Sequence, residues 1–107
     1  MTGTCQITER AADELRAILR HAAAEYGPHV AAKQNAAFDR AFERIGRFPQ
    51  IGREAPAPVR EQTGQAYRIV SSIKPFAIYY TADAPVPIVR RILPTRADYL
   101  HALDAED

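Results

Sequence analysis

A Gly27–Pro28 pair divides the long helix-patterned stretch between Thr8 and Phe48 into two parts. On each side of the pair, apolar side chains recur three or four residues apart, as they do along one face of a helix. These positions are Ala11, Ala12, Leu15, Ile18, Leu19, Ala22 and Tyr26, then Val30, Ala31, Phe38, Ala41, Phe42, Ile45 and Phe48, with the polar Gln34 interrupting the second set. Thr8 is placed to cap the first helix, Gly27 to end it and Pro28 to begin the second. So short a turn predicts an antiparallel helical hairpin.

After Pro49 the apolar spacing changes from that of a helix to the alternation of strands. Three strands are predicted, over residues 67–72, 76–81 and 86–93, with corners at Lys74–Pro75 and Asp83–Pro85. Their short links predict an antiparallel meander.

Three shorter segments complete the predicted fold. They are a strand over residues 4–8, a Pro-containing connector over 53–64 and a C-terminal helix over 98–103. The order is β-α-α-β-β-β with a short terminal helix. The sequence therefore predicts an α+β fold in which the helical hairpin packs on an antiparallel sheet.

Length and composition point to one compact domain, residues 1–107, with 47% apolar and 25% charged residues. The single cysteine, Cys5, has no internal disulfide partner, and we expect it to be a small buried residue. No apolar run reaches membrane-spanning length, and the first residues lack the apolar core of a signal peptide. We therefore expect a cytoplasmic protein with no membrane association.

The net charge of +1 is unevenly distributed along the chain. Residues 52–96 carry seven Arg or Lys against three acids, whereas residues 97–107 carry four acids and no cation. A nearly neutral chain is poorly suited to non-specific phosphate binding. No direct sequence-specific contact with nucleic acid is expected either. The basic block instead favours an acidic partner.

Motifs for most enzyme chemistries are missing from the sequence. There is no glycine-rich phosphate loop, no nucleophile elbow and no paired metal-ligand spacing. His21, His29 and His101 are scattered. We therefore expect neither a metal nor an organic cofactor.

Several short segments, taken in order, resemble the ParE/RelE superfamily of type II toxin–antitoxin toxins. They are the first helix from Thr8, Tyr26–Gly27, the Phe48–Arg53 segment (FPQIGR), Tyr67–Ile69 (YRI), Phe76–Tyr80 (FAIYY), Ile88–Leu93 (IVRRIL) and Arg96–Tyr99 (RADY). The resemblance covers about residues 5–100. It implies a helical hairpin against an antiparallel sheet, in agreement with the pattern.

The resemblance implies one of two activities. RelE-like members cleave mRNA on the ribosome with basic and aromatic side chains, whereas ParE-like members inhibit DNA gyrase by binding it. In this chain Ala77 follows Phe76 and Val70 stands on the second strand, where RelE-like members carry basic residues. Arg68, Arg91 and Tyr99 could supply cations and an acid, but no general base is evident.

These departures favour the ParE-like branch. The alternatives left open are a RelE-like ribosome-dependent endoribonuclease and a non-toxic binding module of the same fold. The resemblance also implies an acidic antitoxin that folds on binding, DNA gyrase as the target and a toxin–antitoxin heterotetramer.

The candidate antitoxin- or target-binding residues are Arg53, Arg60, Arg68, Tyr79, Arg90, Arg91, Arg96 and Tyr99. No residue is assigned a catalytic role. Two points stay open in the sequence: which of Arg90 and Arg91 faces the helices, and which of Tyr79 and Tyr80 is in the core. We expect the other tyrosine to be a partner contact.

Overall fold

In the computed structural model, which describes residues 5–96 and 99–104, two long helices precede most of the sheet. The helices are α1 (Glu9–Tyr26), α2 (Pro28–Arg47), α3 (Ala57–Thr63) and α4 (Tyr99–Asp104). The strands are β1 (Gln6–Ile7), β2 (Arg53–Glu54), β3 (Tyr67–Val70), β4 (Phe76–Thr81) and β5 (Ile88–Pro94). The predicted α+β class, hairpin and strand meander are confirmed.

The sheet has the order β1-β5-β4-β3-β2. Neighbours from β2 to β5 are antiparallel, but β1 pairs parallel to β5, which makes the sheet mixed rather than wholly antiparallel. β1 is separated from β5 by both long helices and the rest of the sheet, so no tight hairpin turn forces the two strands to be antiparallel.

The prediction of a plain connector over residues 53–64 is wrong, since the segment contains both β2 and α3. Pro58 lies in the first turn of α3, and Gly64 ends the helix with a φ of 75°. Proline in the first turn and glycine just after the last turn are residue types that commonly mark the two ends of a helix. The first predicted strand begins at residue 4 and the predicted C-terminal helix begins at residue 98. Both of these positions lie outside the described residues.

Local capping produces the predicted hairpin. Thr8 Oγ1 accepts a hydrogen bond from the Ala11 amide at 3.1 Å, which caps α1. The two helices are joined by Gly27 alone, whose φ of 96° is accessible to glycine, and Pro28 starts α2. The connection is therefore a rigid turn rather than a flexible loop.

Both faces of the sheet are covered. The hairpin face buries residues that include Phe38, Phe42, Ile45, Ile78, Tyr80 and Ile92. The opposite face is covered by α3 and α4, and it buries Val59, Tyr67, Ile69, Ala77, Tyr79, Leu93 and Leu103. Strand β4 alternates between the two clusters, as a strand buried on both sides must. None of the helices among the described residues is long and apolar enough to cross a membrane.

The half-buried Cys5 donates its thiol hydrogen to the Phe42 carbonyl at 3.5 Å. Burial raises the pKa of the Cys5 thiol, which keeps it protonated and a poor nucleophile near neutral pH. Cys5 was expected to be a small buried residue, and the structure leaves it only half-buried.

Gln34, the polar interruption in α2, has a buried side-chain oxygen without a hydrogen-bond partner among the described residues. An unpaired buried acceptor costs free energy, so we expect Gln34→Leu to raise the free energy of unfolding by about 1 kcal/mol. Urea denaturation would measure this. Lys33→Leu, at the exposed neighbouring position, is the control and should change the value by less than about 0.5 kcal/mol. A clear loss of stability in Gln34→Leu would contradict the assignment.

Candidate partner-binding site

The turn between α2 and β2 is held by a buried tyrosine. Tyr80, fully buried in the hairpin-facing cluster, donates from Oη to the Pro49 carbonyl at 2.7 Å. The same Oη accepts from the Gly52 amide at 2.8 Å. The phenol thus satisfies two backbone groups of the turn, and this fixes where the chain enters β2.

Arg68 holds the same turn. Its Nε donates to the Gly52 carbonyl at 2.9 Å, and one of its terminal nitrogens donates to the Gln50 carbonyl at 3.0 Å. Its other terminal nitrogen is 3.8 Å from a carboxylate oxygen of Glu54, whose side chain is 84% exposed, so this pair adds little. Most of the guanidinium is therefore engaged in holding the turn.

Arg91 is a buried structural cation, 5% exposed. It donates from Nε to a carboxylate oxygen of Glu14 at 2.8 Å, with a second nitrogen 2.6 Å from the same oxygen. A third bond runs to the Ala102 carbonyl at 2.7 Å. The other oxygen of Glu14 accepts from the Ile92 amide at 2.8 Å. Arg91 and Glu14 together tie α1, β5 and α4, so Arg91 is not an exposed contact residue.

A β-bulge resolves the ambiguity between Arg90 and Arg91. Tyr79 is opposite Arg91 and Tyr80 is opposite Val89, so Arg90 is the extra residue of β5. Half-buried Arg90 donates from Nε to Thr81 Oγ1 at 2.9 Å. The bulge puts Val89 and Ile92 on the hairpin face, and Arg91 on the other face.

The expectation that one of Tyr79 and Tyr80 is a surface contact is wrong. Tyr79 is 5% exposed and packs edge-on against Tyr67, with ring centroids 6.4 Å apart, in the cluster under α3 and α4. Both tyrosines are buried because both faces of the sheet are covered. The short helix α3 was not predicted from the sequence. It packs on the sheet face opposite the hairpin and helps to bury Tyr79 there.

The other candidate residues lie apart from one another. Arg60 is exposed on α3 and lines a wide cleft of about 500 Å³ with Arg68, Glu54 and Asp83. Arg96 is exposed just after β5. Tyr99 begins α4, but its side chain falls outside the described part of the structure.

A second cavity, here called the α2–β3 groove, opens between the end of α2 and the end of β3. It measures about 290 Å³ and is lined by Ala41, Arg44, Ile45, Ile51, Arg53, Ile69, Val70, Ser71 and Ser72. Of the predicted residues it contains only Arg53, whose side chain donates to Ser71 Oγ at 3.1 Å. Arg44 and Ile51 were missed, since only the tertiary fold brings them beside Arg53.

No group of three potential metal ligands (His, Cys, Asp or Glu) occurs within the described ranges, 5–96 and 99–104.

Comparison with known proteins places this geometry in a family. The family model described as the ParE toxin of the type II toxin–antitoxin system parDE matches residues 5–99. The chain belongs to the ParE toxin family. Membership in this family implies an antitoxin as partner.

A solved structure supports the fold assignment. The chromosomal ParDE toxin–antitoxin system from P. aeruginosa contains a chain that superposes with a TM-score of 0.69. The match covers 85% of this chain and 94% of that one at 21% sequence identity, so it shows a shared fold. No curated protein sequence matches this ParE family member significantly.

Proposed function

We propose that this ParE family member is a toxin that inhibits DNA gyrase by binding it and that an acidic antitoxin neutralises it. Gyrase would be trapped while its DNA is cleaved. The proposal places the protein in the cytoplasm as a single domain, in a toxin–antitoxin heterotetramer when it is neutralised.

The observation that carries the proposal is the placement of Arg68 and Arg91 on opposite faces of the sheet. Arg68 is paired with Tyr80, whereas Arg91 is paired with Tyr79, and residues directly opposite each other across strands share a face. Because Tyr79 and Tyr80 are successive residues of β4, their side chains point to opposite faces. The two cations that RNA cleavage would require on one phosphate therefore diverge.

The internal contacts of the two arginines support the same conclusion. Metal-free RNA cleavage needs a base, an acid and a cation placed around one phosphate. Arg68 donates to two turn carbonyls and Arg91 to Glu14 and Ala102, so both guanidinium groups have intramolecular partners. Binding needs no such convergence, which favours the gyrase-inhibitor branch over the RelE-like nuclease.

Under the proposal, Arg53, Arg60, Arg96 and Tyr99 stay predicted contacts with the antitoxin or the target. Arg68, Tyr79, Arg90 and Arg91 act by holding the fold instead. The side chains of this second group are buried or half-buried, so little of their surface is accessible to a partner.

Controlled expression in bacteria tests the proposal. We expect growth arrest with filamentous cells, induction of the DNA-damage response and intact mRNA. Co-expression of the cognate antitoxin should restore growth. A frameshifted gene is the control for the burden of expression. Arrest with cut mRNA and no DNA-damage response would instead identify a nuclease, and absence of arrest would identify a non-toxic binding module.

A further inference from the structure

One face of α2 carries a line of cations, here called the α2 basic stripe. All of its members are exposed, and they are Lys33, Arg40, Arg44 and Arg47. At about 100° per residue, their spacing places them within about 60° of arc around the helix. The buried residues of α2, among them Phe38 and Ile45, lie on the other side. The stripe is about 21 Å long, since each helical residue adds about 1.5 Å.

The positive charge of the stripe is not neutralised by ion pairs within the protein. Among residues 5–96 and 99–104, the cations that form ion pairs are Arg16, Arg68 and Arg91, none of which belongs to the stripe. Helix α2 has four cations against two acids, Asp39 and Glu43, whereas α1 has three cations against four acids. The hairpin therefore concentrates its positive charge on α2, although the whole chain is nearly neutral.

We propose that the α2 basic stripe contacts the phosphate backbone of the DNA that gyrase holds, an inference that rests on the proposed function. In that function the toxin binds gyrase while its DNA is cleaved, so a duplex lies close to the bound toxin. Duplex DNA carries one negative charge for about every 1.7 Å of its axis. A straight row of cations about 21 Å long can therefore meet phosphates at several points along its length. Such contacts do not depend on the base sequence.

The surface along the stripe favours a phosphate backbone over an amphipathic peptide or a membrane. Among the described residues 33–47, no large apolar side chain is exposed. The exposed apolar residues nearest in sequence, Val30 and Phe48, lie beyond the two ends of the stripe. An amphipathic peptide and a lipid surface both need apolar contacts along the binding face. Phosphate groups need only the cations, which the stripe supplies.

The low net charge limits what the stripe can do by itself. Because the chain carries a net charge of only +1, we expect weak binding to free DNA. Gyrase would hold the toxin and the DNA together, which raises the effective concentration of phosphates beside the stripe. A few contacts then suffice to make the toxin prefer the gyrase–DNA complex over gyrase alone.

Binding to gyrase with and without DNA tests the proposal. Labelled toxin is titrated with gyrase alone and with gyrase bound to a linear DNA duplex, and the ratio of the two affinities is here called the DNA gain. We expect a DNA gain of about tenfold or more for the unaltered protein. Lys33→Glu/Arg40→Glu should abolish most of it and leave the affinity for gyrase alone within about twofold. Arg44 and Arg47 are left unchanged, because Arg44 also lines the α2–β3 groove and Arg47 lies beside the Phe48 ring.

The matched control is Arg10→Glu/Arg20→Glu, which makes the same charge change at exposed positions of α1. Its DNA gain should stay within about threefold of that of the unaltered protein. Both altered proteins should unfold at nearly the same temperature as the unaltered one, because all four positions are exposed. Added salt should reduce the DNA gain of the unaltered protein. The logarithmic salt slope should be steeper by about 2 than that of Lys33→Glu/Arg40→Glu.

The outcomes distinguish the inference from the function on which it rests. If the unaltered protein shows no DNA gain, or if Lys33→Glu/Arg40→Glu keeps it, the inference is wrong while gyrase stands as the target. An equal loss of affinity with and without DNA would assign the stripe to an acidic protein surface and overturn the DNA contact. Equal losses in both charge-reversal proteins would show that overall charge, not the stripe, is responsible. If the unaltered protein binds gyrase in neither form, the gyrase part of the proposed function fails and the inference fails with it.

Discussion

Glu14→Ala is expected to lower the free energy of unfolding by about 3–5 kcal/mol, the usual range when one partner of a buried ion pair is removed. The substitution would leave the Arg91 guanidinium, 6% exposed, without its carboxylate. It would also leave the Ile92 amide without an acceptor. Urea denaturation followed by circular dichroism measures the loss.

Asp13→Ala is the matched control for this prediction. Asp13 is the neighbouring acid on α1, and it pairs with Arg16 at the surface, where both side chains are more than 60% exposed. Removal of an exposed pair costs about 0.2–1 kcal/mol. A double change, Glu14→Leu/Arg91→Met, should cost less than the sum of the two single changes because no charge is left buried. Equal effects of Asp13→Ala and Glu14→Ala would contradict the structural role of Glu14.

Gly52→Ala is expected to destabilise the protein by about 2–4 kcal/mol, because overpacking and a lost hydrogen bond add together. A Cβ at position 52 would lie 2.8 Å from both Cε1 and Oη of Tyr80 and 3.0 Å from the Ile69 carbonyl oxygen. Tyr80 is fully buried and the carbonyl belongs to the sheet, so neither can move away cheaply.

Thermal unfolding would measure the effect of Gly52→Ala, with Ser72→Ala at a nearby exposed position as the control. Tyr80→Phe offers a cross-check, since it removes the Oη atom that the new Cβ would meet, although not Cε1, and removes both turn hydrogen bonds. It should cost about 1–3 kcal/mol by itself and make the added cost of Gly52→Ala smaller. A neutral Gly52→Ala would show that the turn is not packed against Tyr80.

Local signals account for the parts of the fold that the sequence predicted. Gly27–Pro28 and the two apolar stripes specify the hairpin, and the alternation after Pro49 specifies β3 to β5. β2 could not be predicted, because two residues carry no period and their strand geometry comes from pairing with β3. The parallel position of β1 is likewise set by tertiary pairing.

The functional surface was harder to predict than the fold. The bulge at Arg90 breaks the alternation that would have placed Arg91, and the partner of Arg91 is Glu14, 77 residues away in sequence. The sequence marks a basic block, but only the fold shows that Arg68 and Arg91 are engaged internally. It also shows that Arg53 shares a groove with Arg44 and Ile51, which lie on either side of the α2–β2 turn.

A purified assay with DNA gyrase tests the proposed activity most directly. The protein is added to gyrase and relaxed plasmid, and in parallel to ribosomes that carry mRNA. We predict loss of supercoiling, accumulation of DNA cleaved and covalently attached to gyrase, and uncut mRNA. Unaffected gyrase together with cut mRNA in the ribosome reaction would contradict the account.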